Sequence, residues 1–549
     1  MHNIKVANMR RFKKIAGAVL LTVFIGSSIA YKSDFFEIAK QIEIYTTLFK
    51  ELNLYYIDEL DPAEVMDNAI EHTLNNLDPY TKFYDEQGVI DARIVAEGQY
   101  GGIGASVRYR EGNLIVDQIL KDYAADEAGL KVGDVIVAID NVELIALEED
   151  FVRSLLRGLP DSEVNLEINR NGSSISKTIK RETVEINPVP FYTMIDDEVG
   201  YMAFIKFNRK ASDQVKNAYE ALKSQGMKQL IIDVRHNPGG LLNEAVEIVN
   251  FFIPKNQVVV TTRAKIDKWS STFKTKNKPL DTEIPLAILI DDRSASASEI
   301  LAGALQDYDR AVIVGQRSFG KGLVQRSRKL SYGTQLKLTI SKYYTPSGRC
   351  IQELDYTNRV GDSIPKFSDG IVNEFTTQNG RKVYDGGGVS PDVEVSVNKK
   401  SEATQELLRS FGLFDFATQF CLDKETIDEA SKFKLPEKTF KELQDFLEMY
   451  PESFELNSEE LFDKAISEAQ QESLELSNAY DDFMKVLNKQ KINQLQSNKA
   501  EILDALEAEI VSRYYYKEGE YEQKVSFDNS IKKAVELLHN SQEYLALLN

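Results

Sequence analysis

Four histidines, His2, His72, His236 and His539, serve the whole chain of 549 residues. A Ser–His pair is therefore nearly excluded by supply, and any nucleophile needs another base. Three serines alternate with alanine in PLAILIDDRSASASEILAGAL, residues 285–305, where an apolar strand (Leu286 to Ile290) turns into a helix carried by Ile300, Leu301, Ala304, Leu305 and Tyr308. Ser296 and Glu299 form the S-x-x-E capping-box pattern, which predicts Ser296 as an N-cap contributing about 1 kcal/mol. The same place suits a nucleophile, because unpaired backbone N–H groups at a helix start can stabilise an oxyanion. The two roles are compatible, and Ser294 and Ser298 are read as structural.

Three further stretches carry chemistry. In AVIVGQRSFGKGLVQ, residues 311–325, Gly315, Gly320 and Lys321 imitate a phosphate-binding loop, but Gly322 stands where a Ser or Thr would hold magnesium. The residues after it alternate like strands, so the nucleotide reading fails; Lys321 is either a solvated loop lysine or, through close packing at its glycines, directed inward. LIIDVRHNPGG, residues 230–240, ends a strand in Asn237-Pro238-Gly239-Gly240, whose backbone N–H groups are free to point at a ligand. His236 is the one histidine placed to serve Ser296, and is otherwise a polar turn residue. QYGGIGASV, residues 99–107, offers a nest of N–H donors for a carboxylate, or merely a tight hairpin.

The elements that must position these residues follow from periodicity. Residues 32–94 read as helices, with apolar side chains at three- and four-residue spacing. Short alternating runs separated by Gly and Asn turns make 95–186 a small barrel of five or six strands and one or two helices. Buried strands (LIIDV, PLAILI, AVIVG, QLKLTI) alternate with helical runs over 187–398, an α/β core. Residues 399–549 lose nearly all Gly and Pro and become an acidic helical extension. The whole is a multidomain α+β protein. At the start, Lys5, Arg10, Arg11, Lys13 and Lys14 precede the apolar run IAGAVLLTVFIGSSIA, so residues 1–31 are expected to be a signal peptide, cleavable at Ser28-Ile29-Ala30, or a membrane anchor. Either directs the bulk of the chain out of the cytoplasm. A formal net charge of −20 argues against nucleic acid, and two cysteines, Cys350 and Cys421, with so few histidines make neither a disulfide framework nor a zinc site. No metal or cofactor is expected.

Taken together, LDPYTKFYD, YGGIGA, AGLKVGDVIVAIDN, DVRHNPGG, SASASEILAGALQDYDRAVIVGQRSFGKG, YYTPSGR and GGGVSPDVEV resemble the C-terminal processing peptidases, or tail-specific proteases, over roughly residues 35–397. The resemblance implies a PDZ domain followed by a crotonase/ClpP-like α/β core and a Ser–Lys dyad. Ser296 then matches the nucleophile, Lys321 the general base and Gln325 the glutamine that orients it. The amide of Ala297, with one from Gly239 or Gly240, would form the oxyanion hole. Asp307 and Glu299 match acidic positions of site architecture, and His236 falls at a variable position. Lys321 would have to be neutral, against an ordinary lysine pKa near 10.4, which burial can bring down by about 3 units. The loop Gly101, Gly102, Ile103 and Gly104 would take the carboxylate of a polypeptide's C-terminus, with the tail added as a strand. The resemblance implies nothing for residues 399–549, where adaptor binding or self-association remains open. The competing reading is an inactive PDZ-bearing scaffold of the cell envelope; the expected location is the periplasm, free or anchored to the inner membrane.

Overall fold

The computed structural model describes residues 35–549 apart from 111, 146, 148, 362, 371, 397–399, 423 and 475. The expected signal peptide or membrane anchor lies outside the described residues. The chain divides into two compact units, 1–83 and 84–549. In the first, a helix over 35–55 is followed by the helix Pro62–Asn75, which starts as its sequence dictates. Asp61 Oδ1 accepts the Ala63 N–H at 2.8 Å, and Pro62 takes a first-turn position where no N–H is needed.

The larger unit opens with the helix Glu86–Glu97 and then the small barrel. Gln99–Gly102 pairs antiparallel with Glu182–Glu185. Ala105–Arg110, Asn113–Ile119, Val135–Ile139, Glu163–Arg170 and Ser173–Lys180 form an antiparallel sheet in that order, with Val142–Glu143 beside the third strand. Period-two alternation explains the inner face: Val164, Leu166 and Ile168 are buried together with Val152 of the helix Glu149–Leu155. Ala105–Arg110 is left at the sheet edge.

The core sheet runs Phe191–Met194, Val199–Ala203, Gln229–Asp233, Leu286–Ile290, Val312–Gly315, Val393–Glu394, parallel after the first pair. Its strands read as unbroken apolar runs because both faces are covered. On one face pack the helices Ala211–Ser224, Leu242–Phe252 and Ala297–Asp307. The other face is closed from the far end of the chain: Ile531, Ala534, Leu537, Leu538 and Tyr544 bury against Tyr201, Ile231, Leu289 and Val312. A second, antiparallel layer contains Ser271–Lys274, Val258–Ala264, Gln335–Tyr344 and Leu323–Lys329. Helices from Glu402 to Phe527 build a separate apolar core around Leu407, Leu443, Leu506 and Ile510, as the helical reading of the extension expects.

Candidate active site

Ser296 ends the turn after Leu286–Ile290 with φ +57° and ψ −111°, a sparsely populated conformation for a residue with a Cβ. The surroundings fix it. Ser294 Oγ donates to Val234 O at 2.8 Å, Ser298 Oγ to Asn237 O at 2.9 Å, and the Ala295 N–H to Asn237 O at 3.0 Å. Tyr343 Oη donates to Ser296 O at 3.1 Å. The expected capping box forms in one half only. Glu299 Oε2 accepts the Ser296 N–H at 2.8 Å, but the serine hydroxyl makes no capping hydrogen bond. The physical reason is the backbone: an N-cap hydroxyl reaches back from β-region dihedrals, and Ser296 does not have them.

A cavity of about 430 Å³ brings together Ser296, Ala297, Gly239, Gly240, Lys321 and Gln325. Lys321 arrives from a loop whose glycines are needed for packing: a Cβ at Gly320 would lie 2.6 Å from Glu353 Cβ, and one at Gly322 2.7 Å from Gln352 N. After Gly322 the chain enters the strand Leu323–Lys329, so the helix a phosphate-binding loop requires does not follow. Gln325 pairs with Thr339 across the ladder and donates from Nε2 to Thr339 Oγ1 at 3.1 Å. At the turn on the other wall, a Cβ on Gly239 would stand 2.5 Å from Ala295 O and 2.8 Å from Ala297 N, at φ +90°. Of the two candidate oxyanion donors there, the Gly239 N–H is already given to Asn237 Oδ1 at 2.9 Å, which leaves Gly240.

Glu299 ties the turn of Ser296 and the loop of Lys321 together. Its Oε1 accepts from Ser318 Oγ at 2.6 Å and the Gly320 N–H at 2.7 Å, while Oε2 accepts from the Ser296 N–H at 2.8 Å and the Lys321 N–H at 2.9 Å. Burial pushes its pKa up to about 7 against the pull of these four donors. Asp307, by contrast, is not at the cavity. It sits at the far end of the same helix, buried against Arg349 Nη2 at 2.9 Å and accepting the Ser347 N–H at 2.9 Å, so it anchors the TPSGR loop. His236 also faces elsewhere, with its Nδ1 2.9 Å from Asp291 Oδ2 and its ring largely exposed.

In the barrel, half of the expected carboxylate loop is strand: Gly101 and Gly102 pair with Thr183 and Glu182. Ile103 and Gly104 make the turn, and Gly104 is required there, at φ +77° with Tyr123 Cβ 2.3 Å from where a Cβ would be. Sequence reasoning missed Asn237, Ser318 and Tyr343 as supports of the site, and Lys206 and Lys337 as cavity lining. Lys337 and Thr339 share a face of Gln335–Tyr344, which was the available signal for Lys337, whereas the irregularity opposite Val324 and Gln325 breaks the alternation before Tyr343.

The pattern of peptidase family S41 matches residues 198–358, that of a PDZ domain 101–180, and that of the C-terminal helical domain of probable PDZ-proteases 403–538. A carboxy-terminal-processing protease of Bartonella bacilliformis is 33% identical over 324 residues, covering 58% of this chain and 74% of that protein. The carboxy-terminal processing protease CtpA of Bacillus subtilis is 25% identical over 426 residues, covering 77% of this chain and 88% of its own. Among solved structures, a photosystem II D1 C-terminal processing protease is 27% identical, covers 64% of this chain and 86% of its own, and has a TM-score of 0.35.

Proposed function

Because the chain belongs to the carboxy-terminal-processing serine proteases of peptidase family S41, we infer that Ser296 and Lys321 act as its catalytic dyad. The observation that carries this reading is the shared cavity, in which Ser296, at the start of a helix, and Lys321 are tied to one carboxylate, Glu299. Neutral Lys321 takes the proton of Ser296 Oγ as the oxygen attacks the peptide carbonyl. The oxyanion is received by the N–H groups of Ala297 and Gly240. Collapse breaks the C–N bond, and Lys321 returns its proton to the departing amine, leaving an ester on Ser296. Water then attacks that ester with Lys321 again as base, and the serine is restored. Gln325, its amide nitrogen held by Thr339, presents its amide oxygen to the lysine and orients it.

Upstream of the chemistry, the barrel captures the substrate by its C-terminus. The strand Ala105–Arg110 is unpaired along one edge, which supports addition of a tail as a further strand, with the terminal carboxylate at the Ile103–Gly104 turn. The basic, then apolar N-terminal run supports an activity outside the cytoplasm. The test is turnover of an unfolded exported protein by Ser296→Ala and Lys321→Met, each expected to lose at least about a thousandfold in kcat. Unchanged turnover in both rejects the dyad. Equal cleavage of one peptide with free and amidated C-termini rejects tail capture.

A further inference from the structure

The wall of the catalytic cavity is electrically one-sided. Three lysines line it, Lys206, Lys321 and Lys337, and among the described lining residues there is no Asp or Glu, in a chain of net charge −20. The buried Glu299 is not among them, its two oxygens being spent on four hydrogen bonds. Lys206 and Lys337 are both half-buried, and no ion pair or side-chain hydrogen bond of either is seen among the described residues. Burial lowers the pKa of each, and Lys206 is lowered further by the charge of Lys337. Two ammonium groups on one wall are thus partly stripped of water, with no counter-charge among the described lining residues. That arrangement costs free energy unless an anion enters.

The ladder gives the position. Gln325 pairs with Thr339 and Ser327 with Lys337, so Lys337 stands one alternation beyond the Gln325 pair on the same face. At about 3.4 Å per residue this is about 7 Å further along the cleft. An extended substrate advances at about the same rise, so Lys337 lies about two substrate residues beyond the level of Gln325.

We propose that Lys206 and Lys337 form a carboxylate-binding subsite of the catalytic cavity, which selects substrates carrying an acidic side chain or a chain terminus two or three residues from the cleaved bond. The proposal rests on the Ser296–Lys321 reading of the same cavity. Quenched fluorescent peptides with one common tail for capture test it, differing only by Glu or Gln at each of three positions on either side of the cleaved bond. A second set ends two or three residues after that bond in a free or an amidated terminus. The expected result is a kcat/KM ratio of at least about fivefold for Glu over Gln at one position, or for free over amidated ends, shrinking in 0.5 M salt. The position with the preference tells side chain from terminus. Lys206→Met and Lys337→Met bring the ratio towards one, whereas Lys→Arg at either site preserves it. A Glu-over-Gln ratio that survives in the double Met variant overturns the subsite, and of a free-over-amidated ratio only the part that the two Met changes remove counts for it, because tail capture by the barrel supplies the rest. Should that variant not fold, the unaltered enzyme decides alone: no preference at any position overturns it too. Undiminished turnover by Ser296→Ala would instead sink the dyad while leaving the measured ratio intact.

Discussion

Replacing Glu299 by Gln separates what this carboxylate does for stability from what it does for catalysis. Each oxygen of Glu299 serves two donors, so a glutamine satisfies one pair and turns its NH2 towards the other. Two buried donors then lose their acceptor, at about 1–3 kcal/mol each. The opposing term is the charge. A native pKa of about 7, raised from 4.5 by burial, means that the folded state binds more protons than the unfolded state between those values. Stability therefore falls as pH rises through this window, by about 3 kcal/mol in all, and glutamine escapes that loss. Above pH 7 the two effects nearly cancel. The expected outcome is a variant within about 3 kcal/mol of the parent at pH 8, whose relative stability improves by about 2 kcal/mol between pH 5.5 and pH 8. Its kcat falls more than about tenfold, because one of the two loops is released whichever way the amide turns. Urea unfolding followed by Trp269 fluorescence measures the first quantity, since this only tryptophan of the chain lies in the peptidase part, against Arg328. A relative stability flat across that pH range would refute the raised pKa, and full activity would refute the role of Glu299 in positioning.

Two other perturbations follow from the packing. Ending the chain after Phe527 uncovers the face of the core sheet that Ile531, Ala534, Leu537, Leu538 and Tyr544 bury. At about 1.5–3 kcal/mol per large buried apolar side chain, the loss is comparable to the whole stability of a typical domain, so the truncated protein is expected to be insoluble or unfolded by circular dichroism. Gly239→Ala forces a Cβ within 2.8 Å of the Ala297 N–H at φ +90°; kcat/KM is expected to fall at least about a hundredfold with the fold retained, as read by thermal melting beside peptide turnover.

The local part of this architecture was legible. An unbroken apolar run bounded by a turn and a helix pattern located Leu286–Ile290 and Ala297–Asp307, because strand and helix periods are properties of neighbouring residues. The capping pattern was legible in part: Ser296 is the N-cap and Glu299 reaches back to its N–H, but S-x-x-E does not encode the positive φ that leaves the serine hydroxyl out of the cap. Lys321 stood out through its glycines, although the need for those glycines comes from Glu353 and Gln352, some thirty residues on. Lys206 and Lys337 carried no local signal of their own. They meet only because the parallel bridge Phe207–Gly240 and the Leu323–Lys329 ladder bring two distant segments onto one wall. The amphipathic spacing of Asn529–His539 announced a buried face, but not that its partner is a sheet built some 250 residues earlier.

That last contact bears on the active site. The helix Lys499–Phe527 breaks from helical geometry at Tyr516, whose Oη donates to Asp126 Oδ1 of the barrel at 2.7 Å. Immediately after the helix, Asp528 caps the next one through the Ser530 and Ile531 N–H groups, at 2.8 and 3.0 Å. The same carboxylate receives both bonds of Arg235 Nη1, at 3.0 and 2.8 Å. Arg235 in turn grips Asp233 with Nε and Nη2, at 2.9 and 2.7 Å. Burial alone would raise Asp233, and the charges of Arg235 and Lys524 hold it well below the usual carboxylate range. Removing one member of so buried a set costs about 3–5 kcal/mol. Asn237, Gly239 and Gly240 follow Arg235 within five residues. One segment of twelve or so residues therefore fixes, at one end, the barrel, and at the other, the turn that carries Asn237, Gly239 and Gly240 to the wall of the cavity.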